Sequence, residues 1–313
     1  MKLSFDGVVF SEWFIIAAVL LGSVLLSGVL LWYCYRCYLK RVSEDIAFAQ
    51  SDDVSIGPEQ YSSHWGLAVG AMYTAHGGSS WAQFTSHEER GVDILREQWG
   101  ISDRGSFLMQ LYDVLCFGHR HYFHRIIAEI SLMSEDEFLT EIESVRGRQL
   151  LWRLRAARLN ENDIQSINFS AWDMSRYVRM TLRGVTAGYI IEAEAADLIC
   201  LAALQIQHDF RSWQEFAEHF LHARWFWCAD DTALETQEEY VNIIEGLLKD
   251  ERSPWRILPW NQALPAPQFV LVSALDELGL IEILQEEKTS TFWWDWESLL
   301  DKELQRYRQL VTR

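Results

Sequence analysis

Residues 13–35, "WFIIAAVLLGSVLLSGVLLWYCY", carry no charge over 23 positions. No other feature limits the fold as strongly. At helical rise the stretch is about 34 Å long, enough for the ~30 Å hydrocarbon core of a bilayer. In lipid every backbone polar group must be satisfied within the segment, so the stretch reads as a transmembrane helix. Trp13 opens it, and Trp32, Tyr33 and Tyr35 close it, where interfacial aromatics belong. A cleaved signal peptide would need a basic start and a shorter apolar core. Here only Lys2 is basic ahead of the span, whereas Arg36, Lys40 and Arg41 follow it. That asymmetry predicts an uncleaved single-pass anchor in the cell (inner) membrane, with the N-terminus outside and the large C-terminal part in the cytoplasm. Ala18 with Gly22 and Ser23 with Ser27 place small residues four apart. Such spacing lets two helix backbones approach, a route to a homodimer through the span.

The remainder divides into a polar juxtamembrane linker at 36–60, a helical domain at 61–262 and a C-terminal extension at 263–313, with residues 1–12 a short N-terminal segment. Thirteen per cent of the chain is aromatic, with 15 tryptophans, which is too apolar for disorder and calls for a sizeable core. Five prolines in 313 residues and apolar residues at helical spacing predict a mostly α, all-helical domain, with a minor strand-like run followed by a helix in "PQFVLVSALDELGLIEIL" at 267–284. The net charge is −18. Lys2, Asp6 and Glu12 contribute −1 before Arg36, which leaves −17 beyond the span. That field repels nucleic acid and anionic lipid and suits either solubility or a basic protein partner. The five cysteines, Cys34, Cys37, Cys116, Cys200 and Cys228, are irregularly spaced. They fit free thiols in a reducing compartment better than a disulfide or zinc framework.

The punctuation of the domain is readable. Residues 62–77 make one helix stopped at Gly77-Gly78. A second starts at Ser86 with the capping-box pattern "SHEE" and runs to Trp99-Gly100. Ser102 caps a third, with Phe107, Leu108, Leu111, Tyr112 and Leu115 as its apolar stripe. Ser134 and Ser212 are N-caps, the latter with Glu215 in a capping box. Residues 253–260, "SPWRILPW", read as extended because of the prolines, with both indoles stapling the segment over the helices. In the tail, Trp293, Trp294 and Trp296 read as docking on the domain rather than on an acidic bilayer.

Residues 116–125, "CFGHRHYFHR", concentrate polar chemistry. His119, His121 and His124 lack the i, i+4 pair of a helical metal site, and Arg120 and Arg125 repel a cation. No metal or other cofactor is expected. Gly118 takes a turn, Phe123, Ile126, Ile127 and Ile130 form the buried stripe of the next helix, and the cations meet carboxylates on neighbouring helices. In residues 170–190, Asp173 and Arg176 lie three apart and can pair. Arg176, Arg179 and Arg183 share a helical face that suits a phosphate or carboxylate, or equally a structural ion-pair network.

Several short motifs carry a resemblance to a known family. They are "GAMY" at 70–73, "WGI" at 99–101 with Arg104, Gly118-His119, Trp172-Asp173 with Arg176, "GYI" at 188–190, "SWQEF" at 212–216, Arg224 with Trp227, Ser253-Pro254-Trp255 and Trp260. Together they resemble the bacterial family called domain of unknown function 1266 over most of residues 60–262. Ala223 stands where the family pattern favours glycine. The resemblance implies a helical domain and no mechanism.

Two functions compete. One is a membrane-anchored, non-enzymatic interaction module that binds a basic protein, in an immunity-like or membrane-complex role. The chain has no nucleophile elbow, phosphate loop, dinucleotide glycines or zinc-protease motif, so the reading leans away from an enzyme. The other is a hydrolase, transferase or ligand sensor acting on a phosphorylated or carboxylate ligand. Its polar candidates are His119, Asp173, Arg176, Arg183, Arg104 and Arg224, with Trp99 and Trp172 as aromatic walls. That reading requires His119, Asp173 and Arg176 to converge in one concave, partly open site.

Overall fold

A computed structural model describes residues 56–77, 80–86, 90–228 and 232–280. The anchor at 13–35, most of the linker and the tryptophan-bearing tail lie outside the described residues. Among the described residues the fold is all-helical, and no helix is long and apolar enough to cross a membrane.

The helices in chain order are α1 (Tyr61–Val69), α2 (Ala71–His76), α3 (Gly91–Trp99), α4 (Arg104–Cys116), α5 (Gly118–Leu132), α6 (Glu135–Ser144) and α7 (Arg148–Arg158). Then come α8 (Ser170–Thr186), α9 (Glu192–Asp209), α10 (Trp213–Trp227), α11 (Thr232–Lys249), the single turn α12 (Pro254–Ile257) and α13 (Val270–Glu277). The axis of the fold is α8. Thirteen of its seventeen residues are buried, and α1, α2, α3, α4, α5, α9 and α10 all pack on it. A helix buried on every side has no solvent face for its polar groups. Ser175 and Thr181 therefore donate back to the carbonyls of Ala171 and Tyr177 at 2.6 and 2.9 Å. Asp173, at the same depth, has to find partners from another helix.

Close approach to α8 is set by glycine. A Cβ on Gly184 would lie 2.1 Å from Cζ of the fully buried Phe107 on α4. Gly184→Ala is expected to cost about 1–3 kcal/mol by overpacking. The pairing Gly184→Ala with Phe107→Leu should recover part of that loss, read as the urea midpoint of the full chain.

Four indoles lock the C-terminal part of the domain to its start. Trp213 stacks on Trp65 at 4.6 Å and on Trp255 at 5.5 Å, and Trp260 meets the edges of Trp65 and Trp213. The Nε1 atoms of Trp65, Trp213 and Trp255 donate to the carbonyls of Pro259, Leu258 and Ala68 at 2.8–3.1 Å. A buried indole needs such a partner, so these tryptophans fix chain path as well as fill volume. The indole staple is as expected.

Several expectations are corrected. Residues 253–257 are a helical turn rather than extended. Ser253 accepts from Trp255 N, and Pro254 occupies the first helical position, where a missing N–H costs nothing. The run at 267–272 is not a strand, because Val270 begins α13. The helix expected over 62–77 breaks at Gly70, where a Cβ would lie 2.7 Å from Val178 on α8. The helix expected from Ser86 is described from Gly91, and the Ser86 backbone N–H and C=O bond the Thr186 hydroxyl, both at 2.9 Å. Asp103, not Ser102, caps α4. Ser212 caps α10 as expected, but Glu215 reaches the N–H of Arg211 rather than that of Ser212. Ser134 caps α6 as expected, and Glu137 adds a reciprocal box that the sequence reading did not include. Residues 146–158, "RGRQLLWRLRAAR", with five arginines, read in sequence as an internal partner for the acidic helices, but α7 meets carbonyls at helix ends more than acidic helices. Arg158 donates to Ile130 and Met133 at the end of α5, with Glu135 at 3.3 Å. Arg153 donates to Trp227 and Phe226 at the end of α10. Those are the positions where a cation offsets unsatisfied carbonyls.

Candidate functional site

Asp173 is fully buried on α8 and points at the N-terminus of α5. Its Oδ1 accepts from the His119 N–H at 3.0 Å. Its Oδ2 accepts from the Arg120 N–H at 2.9 Å and from Arg120 Nη1 at 3.1 Å. The residue before α5 is Phe117, which offers no side-chain cap. A carboxylate from a distant helix thus does the work of the missing N-cap, with a negative charge at the positive end of the α5 dipole. Arg120 also donates to the carbonyls of Val114 and Leu115, so one guanidinium bonds the end of α4 and the buried carboxylate together.

Gly118 makes this possible. It adopts φ +58°, a conformation that L side chains avoid. A Cβ there would lie 2.2 Å from Asp173 Oδ2 and 2.5 Å from its Cγ. The turn in "CFGHRHYFHR" therefore lets a helix start directly on a buried carboxylate.

His119 and Arg176 complete the group. Arg176 Nη1 donates to His119 Nδ1 at 2.7 Å and lies 3.7 Å from Asp173 Oδ1. His119 Nδ1 is 3.9 Å from the same oxygen. The Arg176 guanidinium sits 4.6 Å from the Trp99 ring and 5.6 Å from the Trp172 ring, a cation held by two aromatic faces. Trp227 lies 3.7 Å from the His119 ring and carries Arg153 on it at 4.3 Å. Burial, then Arg176, then Arg153 push the His119 pKa down to about 3. The imidazole is thus neutral at physiological pH, as an acceptor for a guanidinium must be.

The sign of this shift yields a prediction. The folded pKa lies below the ordinary histidine value of about 6.5, so the unfolded chain protonates first as pH falls. The contribution of His119 is full above about pH 6.5 and is lost as pH falls toward about 3. His119→Asn, which keeps an acceptor for Arg176, should flatten the fall of the urea midpoint between about pH 6.5 and 4. Some slope should persist, because burial also lowers His76, His124 and His219. A variant as steep as the parent would remove His119 from the balance.

The structure brings His119, Asp173 and Arg176 within 4 Å of one another, with the Trp99 and Trp172 rings against the Arg176 guanidinium. The other candidates lie elsewhere. Arg104 makes a bidentate pair with Glu194 at 2.6 and 3.0 Å and donates to the Tyr189 carbonyl, tying α4 to the start of α9. Arg224 donates to Gln237 and Thr236 and covers Tyr240, tying α10 to α11. Arg183 is buried two turns beyond Arg176 and bonds neither His119 nor Asp173. Arg125 pairs with Glu129 of its own helix at 3.8 Å rather than with a neighbour. Sequence reasoning missed Arg120 as the chief partner of Asp173, and it missed Arg153 and Trp227 beside His119. The adjacency of Arg120 to Gly118-His119 was the available signal. Among the described residues no group of three or more His, Cys, Asp or Glu is placed to hold a metal ion. Cys116, Cys200 and Cys228 form no disulfide with one another, and burial, then Asp197, push Cys200 up to about 11.

Fold and site together define an all-α domain organised on a buried aspartate that caps a neighbouring helix. The chain belongs to the family described as "Protein of unknown function (DUF1266)", whose model matches residues 94–260, more than half of its length. That match holds most of α3, all of α4 through α12 and the whole Asp173 group, while "GAMY" at 70–73 precedes it. No curated protein and no solved structure matches the chain.

Proposed function

We propose that this chain is a membrane-anchored helical interaction module rather than an acid–base enzyme. Residues 13–35 span the inner membrane with the N-terminus outside, and the acidic helical domain lies in the cytoplasm, where it receives a basic protein. The observation that carries the non-catalytic reading is the state of the convergent trio. Both Asp173 oxygens are committed to the α5 N-terminus and Arg120, and His119 is spent as a neutral acceptor for Arg176. A general acid or base works best with a pKa near the operating pH and a free path to a substrate proton. Asp173, at zero exposure, has no such path, and a histidine at about 3 is a poor proton donor at neutral pH. The charge of −17 beyond the span supports the choice of a basic partner, since complementary charge speeds encounter and suppresses wrong partners.

The test is an affinity pull-down with the full chain from detergent-solubilised membranes. One dominant basic protein should be recovered, and its recovery should fall as salt rises. Turnover of a phosphorylated or carboxylate substrate by the purified chain, lost in His119→Asn, would overturn the reading in favour of an enzyme.

A further inference from the structure

Leu132, Leu139 and Leu159 are 86%, 47% and 70% exposed. Exposed leucines scattered singly need no explanation, but these three are held at one corner of the domain. Arg158 is the hub. Its guanidinium donates to the carbonyls of Ile130 and Met133 at 3.0 and 2.8 Å, and its Cζ lies 5.3 Å from the Phe138 ring. Leu132 precedes Met133, Leu139 follows Phe138, and Leu159 follows Arg158. The end of α5, the middle of α6 and the end of α7 thus bring the three leucines around one side chain.

The rim of this corner is acidic. Residues 126–145 hold Glu129, Glu135, Asp136, Glu137, Glu141 and Glu143, all exposed, and no lysine or arginine. Glu129 lies three positions before Leu132. Asp136 and Glu143 lie three before and four after Leu139, so carboxylates flank both leucines on their own helix faces. Nearby cations offset little of this. Arg158 is committed to two carbonyls and Glu135, Arg125 pairs with Glu129, and Arg155 stands exposed one turn before Leu159.

Apolar side chains rimmed by one sign of charge select their occupant by charge. A second copy would set six carboxylates against six. The chain's own residues 281–313 carry seven acidic and five basic side chains, a net charge of the wrong sign. An anionic lipid surface is repelled for the same reason. We propose that this corner receives the basic partner through an amphipathic helix. The helix covers Leu132, Leu139 and Leu159 with its apolar face and sets lysines or arginines against Glu129, Asp136 and Glu143. This rests on the reading of the domain as a module that binds a basic protein, and it says where that protein docks.

The probe is a fluorescein-labelled peptide of leucine and lysine at helical spacing. Its anisotropy is followed as the full chain, in discs of zwitterionic lipid, is titrated in, with empty discs subtracted. The parent should bind it, and more weakly as salt rises. A scrambled peptide of the same composition keeps the charge, loses the apolar face and should bind about tenfold less tightly. Leu132→Ser with Leu159→Ser should weaken binding of the ordered peptide about tenfold. It should leave Tm unchanged, because both side chains are largely exposed. Glu129→Lys with Glu143→Lys should weaken binding similarly, and each lysine falls in the last turn of its helix, where a cation suits the dipole. Equal binding by the parent and the Leu variant, or of the two peptides by the parent, overturns the corner and leaves the basic-partner reading standing. If the parent binds neither peptide, both fall. A dimer of the full chain that the Leu variant splits gives the face to a second copy and overturns the proposal. So does a lowered Tm in the Leu variant, which would show that the fold itself uses those side chains.

Discussion

Gly118→Ala is expected to lower the stability of the domain by more than about 3 kcal/mol, out of proportion to the addition of one methyl group. Two costs combine. Alanine at φ +58° pays about 1–2 kcal/mol of left-handed strain. Its Cβ would also stand 2.2 Å from an oxygen of Asp173. That oxygen belongs to a fully buried carboxylate anchored by two backbone N–H groups and Arg120. It cannot move aside without leaving α5 uncapped and a buried charge partly unpaired, and breaking such a pair costs about 3–5 kcal/mol. Gly100 provides the control. It has φ +67°, and a Cβ there meets nothing within 4 Å. Gly100→Ala should therefore cost only the strain, about 1–2 kcal/mol. Urea and thermal melts of both variants of the full chain give the comparison. Equal losses would show that the contact with Asp173 carries no weight.

The parts of this fold that were legible in the sequence are those governed by local rules. Ser134 and Ser212 cap helices, Gly100 and Gly188 end them at positive φ, and the stripe Phe107, Leu108, Leu111, Tyr112 and Leu115 is buried as its spacing demands. Misreadings arose where two local signals competed. Pro254 was read as a helix breaker, yet after a capping serine it is a helix starter. The β-branched and aromatic run at 269–272 suggested a strand, but it lies among helices and packs as α13 on α4 and α9. Gly70 broke a continuous helical pattern because Val178 of α8 comes close to its α-carbon, a constraint that no window along the chain contains.

The site was legible as composition and illegible as arrangement. Trp172, Asp173, Arg176 and His119 could be picked out, because charged and indole groups within apolar helices need partners. Their pairing could not, since 54 residues separate His119 from Asp173. The decisive property is which lone pairs are already occupied. Asp173 looked like a candidate site carboxylate from its residue type, and three hydrogen bonds make it a helix cap. Arg120 looked like one of a crowd of cations, and its contact with Asp173 and two carbonyls makes it a brace. Arg104 and Arg224, chosen as site candidates, are braces of the same kind between other helix pairs.

Asp173→Asn tests that assignment most directly, because it changes one atom and no volume. The carboxylate accepts from the N–H groups of residues 119 and 120 and from Arg120, with Arg176 at 3.7 Å. An amide has one oxygen and two N–H donors. Whichever way it turns, its NH2 group faces a backbone N–H that then loses its acceptor, and Arg120 and Arg176 are left without a counter-charge at a depth where water cannot replace it. The expected loss is about 3–5 kcal/mol, and salt should change it little, because a buried pair is poorly screened. A loss that size in a catalytic residue would be unusual, since catalytic groups are commonly held at the expense of stability. Hydrogen exchange separates the two cases further. If Asp173 caps α5, the amides of His119 and Arg120 should lose protection in Asp173→Asn by more than those in the middle of α9. A variant as stable as the parent, with those two amides still protected, would return Asp173 to the list of groups available for chemistry.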